Sequence, residues 1–212
     1  MNLKKDSLNY WLKNAKKYLT WQTIPGKGYS VFQNYYNWFP DGKINLYENC
    51  ILKHLNTSRN KTAIITFNKK RKLKKYTYQE IHYLTLRFEK KFLLTKKKLK
   101  IVIHSSASIE SVISMLACIK NGYHFCVIFE DLEKLAIKKR INIFNPDLIF
   151  TNQPNLFKGF KNLKLFNFSN FNFKQIKSIK DTKINYFHSN NSLFTLFTSG
   201  STGEPKGVVH ST

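Results

Sequence analysis

The side chains best placed to do chemistry lie in one string, Thr198-Ser199-Gly200-Ser201-Thr202-Gly203-Glu204-Pro205-Lys206-Gly207. Three glycines, four hydroxyl side chains and one lysine share that span. Glycine lets backbone N–H groups turn toward an anion with no Cβ in the way. Hydroxyls add neutral donors, and Lys206 adds a mobile positive charge. The apolar run from Leu193 to Phe197 leads in and Val208-Val209 leads out, which predicts strand, loop, strand. The chemistry this composition supports is the holding of a polyphosphate. It is not a Walker loop, which needs Ser or Thr directly after the lysine and a helix behind it. Here Pro205 precedes Lys206, Gly207 follows, and β-branched residues come next.

A glycine- and serine-rich stretch is ordinarily a flexible linker. This one instead resembles, residue for residue, the phosphate-loop signature of the AMP-forming acyl-CoA synthetases and their adenylate-forming relatives. Two further segments carry the resemblance. Trp38-Phe39-Pro40-Asp41-Gly42-Lys43-Ile44-Asn45, followed by Glu48 to Leu55, is similar to the lead-in segment of acetyl- and propionyl-CoA synthetases. Glu110 to Gly122 is similar to the family's helix and turn after its second core strand.

The resemblance implies a two-step ligase that joins a short-chain acid, acetate or propionate, to coenzyme A through an acyl-adenylate, with acetoacetate as an alternative acid. ATP, Mg2+ and coenzyme A are the implied cofactors and substrates. Thr198, Ser199, Gly200, Ser201, Thr202, Gly203 and Lys206 are the implied contacts to the ATP phosphates. The implied fold is α/β, the partial N-terminal portion of an adenylate-forming enzyme's large domain, with a mostly parallel sheet flanked by helices. Its division is a wrapping segment over residues 1–60 and a partial AMP-binding domain over residues 61–212. Family members continue for several hundred residues past the loop, so residues 1–212 alone are expected to be inactive. No catalytic residue is implied within them. The competing reading is a non-catalytic nucleotide-binding remnant.

The resemblance also has departures. Relatives carry glycines after the strand that ends near Phe129, where this chain has Glu130-Asp131-Leu132. Where relatives use a glycine- and arginine-containing segment for coenzyme A phosphates, residues 151–159 offer only Lys158. Lysine is a point charge and cannot form arginine's bidentate fork.

The composition suits an α/β piece: 42% hydrophobic and 15% aromatic residues supply a core. The N-terminus, with Lys4, Lys5 and Asp6 ahead of any apolar stretch, is not a secretory signal, so a cytoplasmic location is expected. The apolar windows are too short for a membrane span. Cys50, Cys118 and Cys126 are widely spaced with no CxxC and read as reduced, buried thiols. The net charge of +24 is carried mostly by lysine, with Arg59, Arg71, Arg87 and Arg140 as the arginines. Specific nucleic-acid surfaces favour arginine as well, so no specific nucleic-acid partner is expected. The expected partners are small molecules, and the sequence assigns no oligomeric state.

The elements that must position the loop alternate along the chain. Ser7–Leu19 has apolar positions at helical spacing. Residues 20–43 read as an extended wrapping segment and Ile44–Asn56 as helix. Thr62–Phe67 is a strand by β-branched content, and the basic run Lys69–Lys75 behind it reads as a solvated loop. Thr77 and Glu80 form a capping box for a helix to about Leu94. Leu99–His104 is a strand, then Ser108 caps a helix that Gly122 ends. Tyr123–Phe129 is a strand, Asp131–Phe144 a helix and Asp147–Thr151 a strand. Residues 152–192 are the least legible and bridge to the last strand. This repetition implies a parallel sheet, whose ligands bind beyond the strand C-termini. The scattered histidines, with His210 the one closest to the loop, show no metal spacing.

Overall fold

In the computed structural model, which describes residues 5–32, 35–67, 72–93, 98–160, 163–199 and 204–212, the chain opens with helix α1, Lys5–Tyr18. Strands β1, Tyr29–Phe32, and β2, Tyr35–Trp38, form an antiparallel hairpin inside the segment expected to be merely extended. The short strand β3, Lys43–Ile44, leads to a π-helical turn, Glu48–Leu52, that runs into α2, Lys53–Ser58. Strands β4, Thr62–Phe67, and β5, Leu73–Thr77, make a second antiparallel hairpin. This differs from the expectation at two points. The β4 strand stands outside the main sheet, and part of the basic run is strand, with Lys75 opposite Ile65 and Lys74 opposite Thr66.

The alternating region follows: α3, Tyr78–Phe92; β6, Lys100–His104; α4, Ile109–Asn121; β7, His124–Ile128; α5, Lys134–Phe144; β8, Leu148–Thr151; β9, Lys164–Asn167. Then come β10, Phe187–His188, β11, Ser192–Ser199, and β12, Pro205–Ser211. The main sheet has six strands in the order β12-β11-β7-β6-β8-β9. All its pairings are parallel except that of the edge strand β12 with β11.

Local chemistry sets the boundaries of the central helices. Thr77 Oγ1 accepts the Glu80 N–H while Glu80 accepts the Thr77 N–H at 2.8 Å, a reciprocal cap at the start of α3. Ser108 and Ser111 do the same for α4. Gly122 closes α4 at φ +67°, a left-handed conformation that costs a side-chain-bearing residue about 1–2 kcal/mol. A Cβ there would also stand 2.3 Å from the Phe187 ring.

Strand β6 shows why the sheet is buried on both faces. Ile101 and Ile103 join the cluster that includes Leu84, Phe88 and Phe150, while Val102 joins the one that includes Ile137, Ile141 and Phe144. Helices α3 and α4 cover the first face and α5 the second.

Within the stretch least legible in the sequence, residues 152–192, residues 175–189 form a strap that runs back over α3 and α4 from the β9 edge toward β11. Polar anchors hold it at intervals. Arg87 donates to the Gln175 carbonyl and, at 3.0 Å, to its side-chain oxygen. His82 Nε2 meets Asp181 Oδ1 at 2.7 Å, and its Nδ1 meets the Tyr47 hydroxyl at 2.9 Å. Lys120 Nζ is buried between Glu89 Oε2 at 3.0 Å and Thr182 Oγ1 at 2.6 Å. Asn45 Nδ2 donates to the carbonyls of Lys120 and Asn185. Ser189 Oγ donates to the Phe39 carbonyl at 2.6 Å.

Candidate functional site

Strand β11 carries the loop to its place. It lies parallel to β7, with Phe194 opposite Phe125 and Thr195 opposite Cys126. Its C-terminal end therefore opens on the same edge as those of β6, β7 and β8, the edge where parallel sheets bind ligands. Leu193 is buried, and Thr195 Oγ1 bonds His124 Nε2 at 2.9 Å, which ties the strand to its neighbour from below. Strand β12 returns antiparallel in a register that pairs Phe197 with Gly207, Thr198 with Lys206 and Ser199 with Pro205. Proline is tolerated because β12 is an edge strand. Gly207 sits closely against β11: a Cβ would stand 3.0 Å from Thr195 Cγ2 and 3.4 Å from the Phe197 ring, so those side chains would have to give by a few tenths of an ångström.

Of the expected phosphate contacts, the structure brings Thr198, Ser199 and Lys206 together at the neck of the loop. Thr198 and Lys206 are exposed and directly opposed, and the Thr198 hydroxyl reaches the Lys206 carbonyl at 3.5 Å. Gly200, Ser201, Thr202 and Gly203 lie outside the described residues. The neck thus offers a neutral donor and a cation, both solvent-facing, which suits a phosphate chain.

Helix α5 also serves the hairpin, and spacing along the sequence did not reveal it. Lys139 Nζ meets Glu204 Oε1 at 2.7 Å, and the Arg140 guanidinium lies 5.8 Å from the Phe197 ring centroid. The helix itself is legible from its apolar period, but which helix lies beside the loop depends on strand order.

The neighbouring strand ends carry a polar pair. His104, fully buried at the end of β6, meets Thr151 Oγ1 at 2.9 Å through Nδ1 and packs edge-on against Phe157 at 5.1 Å. Thr151 Oγ1 also accepts the Gln153 N–H, which leaves the imidazole its second nitrogen, Nε2, to be satisfied elsewhere. That Nε2 has no hydrogen-bond partner among the described residues. Burial lowers the His104 pKa, opposed by the Glu130 carboxylate. Lys158 lines a cavity of about 420 Å³ with Lys134, Lys138 and Phe157.

The cysteines correct one expectation. Cys118 and Cys126 are buried, and burial pushes the Cys126 thiol up to about 12 despite nearby Arg140. Cys50 is exposed, because the π-helical turn directs Asn49 and Ile51 inward instead. Among the described residues no cluster of His, Cys, Asp or Glu could hold a metal ion, and no helix is long and apolar enough to cross a membrane.

Residues 52–212 match the AMP-binding enzyme family and residues 2–50 match the acetyl-coenzyme A synthetase N-terminus. Acetyl-coenzyme A synthetase of Pasteurella multocida (strain Pm70) is 28% identical over 98% of this chain and 37% of its own length. The enzyme of the same name from Helicobacter pylori (strain HPAG1) is 30% identical over 97% of this chain and 37% of its own. The solved structure of acetoacetyl-CoA synthetase from Streptomyces lividans superposes with a TM-score of 0.81 at 15% identity, over 97% of this chain and 36% of that one. The chain thus spans 37% of the length of these curated relatives. With the family match running unbroken from the π-helical turn through the loop and its return strand, the chain belongs to the AMP-binding enzymes.

Proposed function

We propose that this chain is the N-terminal part of an ATP-dependent ligase that activates acetate or propionate and transfers it to coenzyme A. The observation that carries the reading is the match of residues 2–50 to the acetyl-coenzyme A synthetase N-terminus, directly ahead of the AMP-binding match. In the first step a carboxylate oxygen bonds to the α-phosphorus of ATP and the bond to the β-phosphate breaks, releasing pyrophosphate. In the second, the thiol sulfur of coenzyme A bonds to the acyl carbon, AMP leaves, and the thiol proton passes to solvent. Thr198, Ser199, Gly200, Ser201, Thr202, Gly203 and Lys206 are the proposed contacts to the β- and γ-phosphates. They act by position and by neutralising charge that builds on phosphate oxygens. The exposed Thr198 hydroxyl and Lys206 ammonium at the sheet's carboxyl edge support that role. Magnesium, bound with the nucleotide, would neutralise charge on the phosphate oxygens.

Residues 1–60 are proposed as a wrapping segment and residues 61–212 as the start of the AMP-binding domain, acting in the cytoplasm. The reciprocal grip of Asn45 on Asn185 and of Ser189 on Phe39 supports treating the first as a cover on the second.

The test uses the native gene product, whose intact mass is measured first against the 25.0 kDa of residues 1–212. That product is then assayed for acid-dependent exchange of pyrophosphate into ATP with acetate, propionate and acetoacetate. The expected result is exchange with acetate or propionate that falls about 10- to 100-fold in Lys206→Ala, the loss of one charge-assisted contact. Unchanged exchange in that variant would overturn the role given to the loop.

A further inference from the structure

The ion pair between Lys139 on α5 and Glu204 is where the far limb of the loop meets the body of the molecule. Glu204 follows Gly203 and stands two residues before Lys206. A carboxylate there has the wrong sign for a polyphosphate cradle. Left uncancelled, it would repel the ligand and compete for the Lys206 ammonium two residues on. Its partner comes from a different element, and the next residue of that element, Arg140, stacks on Phe197 of the near limb. Consecutive cations of α5 thus address both limbs of the hairpin.

From this geometry we infer that Lys139 is a positioning residue for phosphate binding. It cancels the Glu204 charge and holds that carboxylate against α5, which leaves Lys206 free for the ligand. The inference rests on the reading of the loop as a phosphate cradle. Both side chains are solvent-facing, Lys139 at 40% and Glu204 at 63%, so the pair contributes little to fold stability. Its effect falls on the ligand. An uncancelled carboxylate within a Debye length, about 10 Å at 0.1 M salt, weakens binding of a multiply charged anion, and high salt removes the penalty.

The experiment measures dissociation constants of Mg-ATP and of pyrophosphate by titration calorimetry in low salt and in about 1 M salt. The proteins are the wild-type chain, Lys139→Ala, Lys139→Arg, Glu204→Gln and the Lys139→Ala/Glu204→Gln pair. In low salt Lys139→Ala is expected to bind both ligands about three- to tenfold more weakly. Lys139→Arg and Glu204→Gln keep at least wild-type affinity, the double variant recovers it, and the Lys139→Ala deficit closes at high salt. Two results overturn the inference alone: wild-type affinity in Lys139→Ala, or a Glu204→Gln that is as weak as Lys139→Ala with no recovery in the pair. With all variants made in the native gene product, a wild-type protein that binds neither ligand would overturn the cradle reading and this inference with it.

Discussion

His104 pays for its position at the end of β6. Its Nδ1 is satisfied by Thr151, but its Nε2 faces no partner among the described residues, so the doubly protonated ring would carry one N–H unpaired beside the Phe157 ring. The folded-state pKa is accordingly lowered by burial, with Glu130 opposing. His124 is lowered in the same direction by burial and by the Lys100 charge. Below the ordinary histidine pKa, about 6.5, the unfolded chain takes up protons that the folded chain does not. Stability is therefore fully present above that value and is lost as pH falls through it toward the lower folded value. A urea midpoint lower at pH 5.5 than at pH 7.5 is expected, and His104→Gln should narrow the difference. Equal midpoints in the wild type would show that neither imidazole is held neutral.

The strap over α3 and α4 rests on the Lys120–Glu89–Thr182 contact, whose ion pair is buried: the Lys120 side chain is 2% exposed and that of Glu89 6%. Removing one partner of a buried pair leaves the other charge uncompensated, at a cost of about 3–5 kcal/mol. Lys120→Met should lose stability on that scale by urea denaturation, and adding Glu89→Leu should recover much of it. No recovery in the double variant would mean that Lys120 acts through packing alone. These anchors explain why residues 175–189 were opaque in the sequence. Their conformation is dictated by Arg87, His82, Lys120 and Asn45, all distant along the chain, and not by local period. The central helices were legible for the opposite reason, since Thr77, Glu80, Ser108 and Gly122 set their own boundaries. Strand β5 was hidden because Lys74 and Lys75 blurred its alternation, and the β1–β2 hairpin because residues 20–43 read only as an extended wrapping segment. At the loop, the residue types were readable from composition and resemblance. The approach of Lys139 was not, because it follows from α5 passing beside β12.

For the whole molecule, the charge of +24 acts at long range. Lysine is its main carrier and is spread over loops and strand faces, so polyanions should be attracted without being read. Affinity for duplex DNA is expected to fall steeply with salt and to be the same for unrelated sequences of equal length. A tenfold preference for one sequence in a filter-binding assay would contradict this.

The strap has a further consequence during synthesis on the ribosome. Asn45 finds its partner at Asn185, and the carbonyls of Trp38 and Phe39 find theirs at Ser189. These pairs are 140 to 151 positions apart, so the first segment cannot be seated until residues 185–189 have been made. At about 5–20 residues per second that wait is roughly 7–30 s. Throughout it, Trp11, Tyr35 and Trp38, which stay partly exposed even in the finished fold, are available to chaperones. The emerging N-terminus therefore depends on protection until its partners near residue 189 have been made.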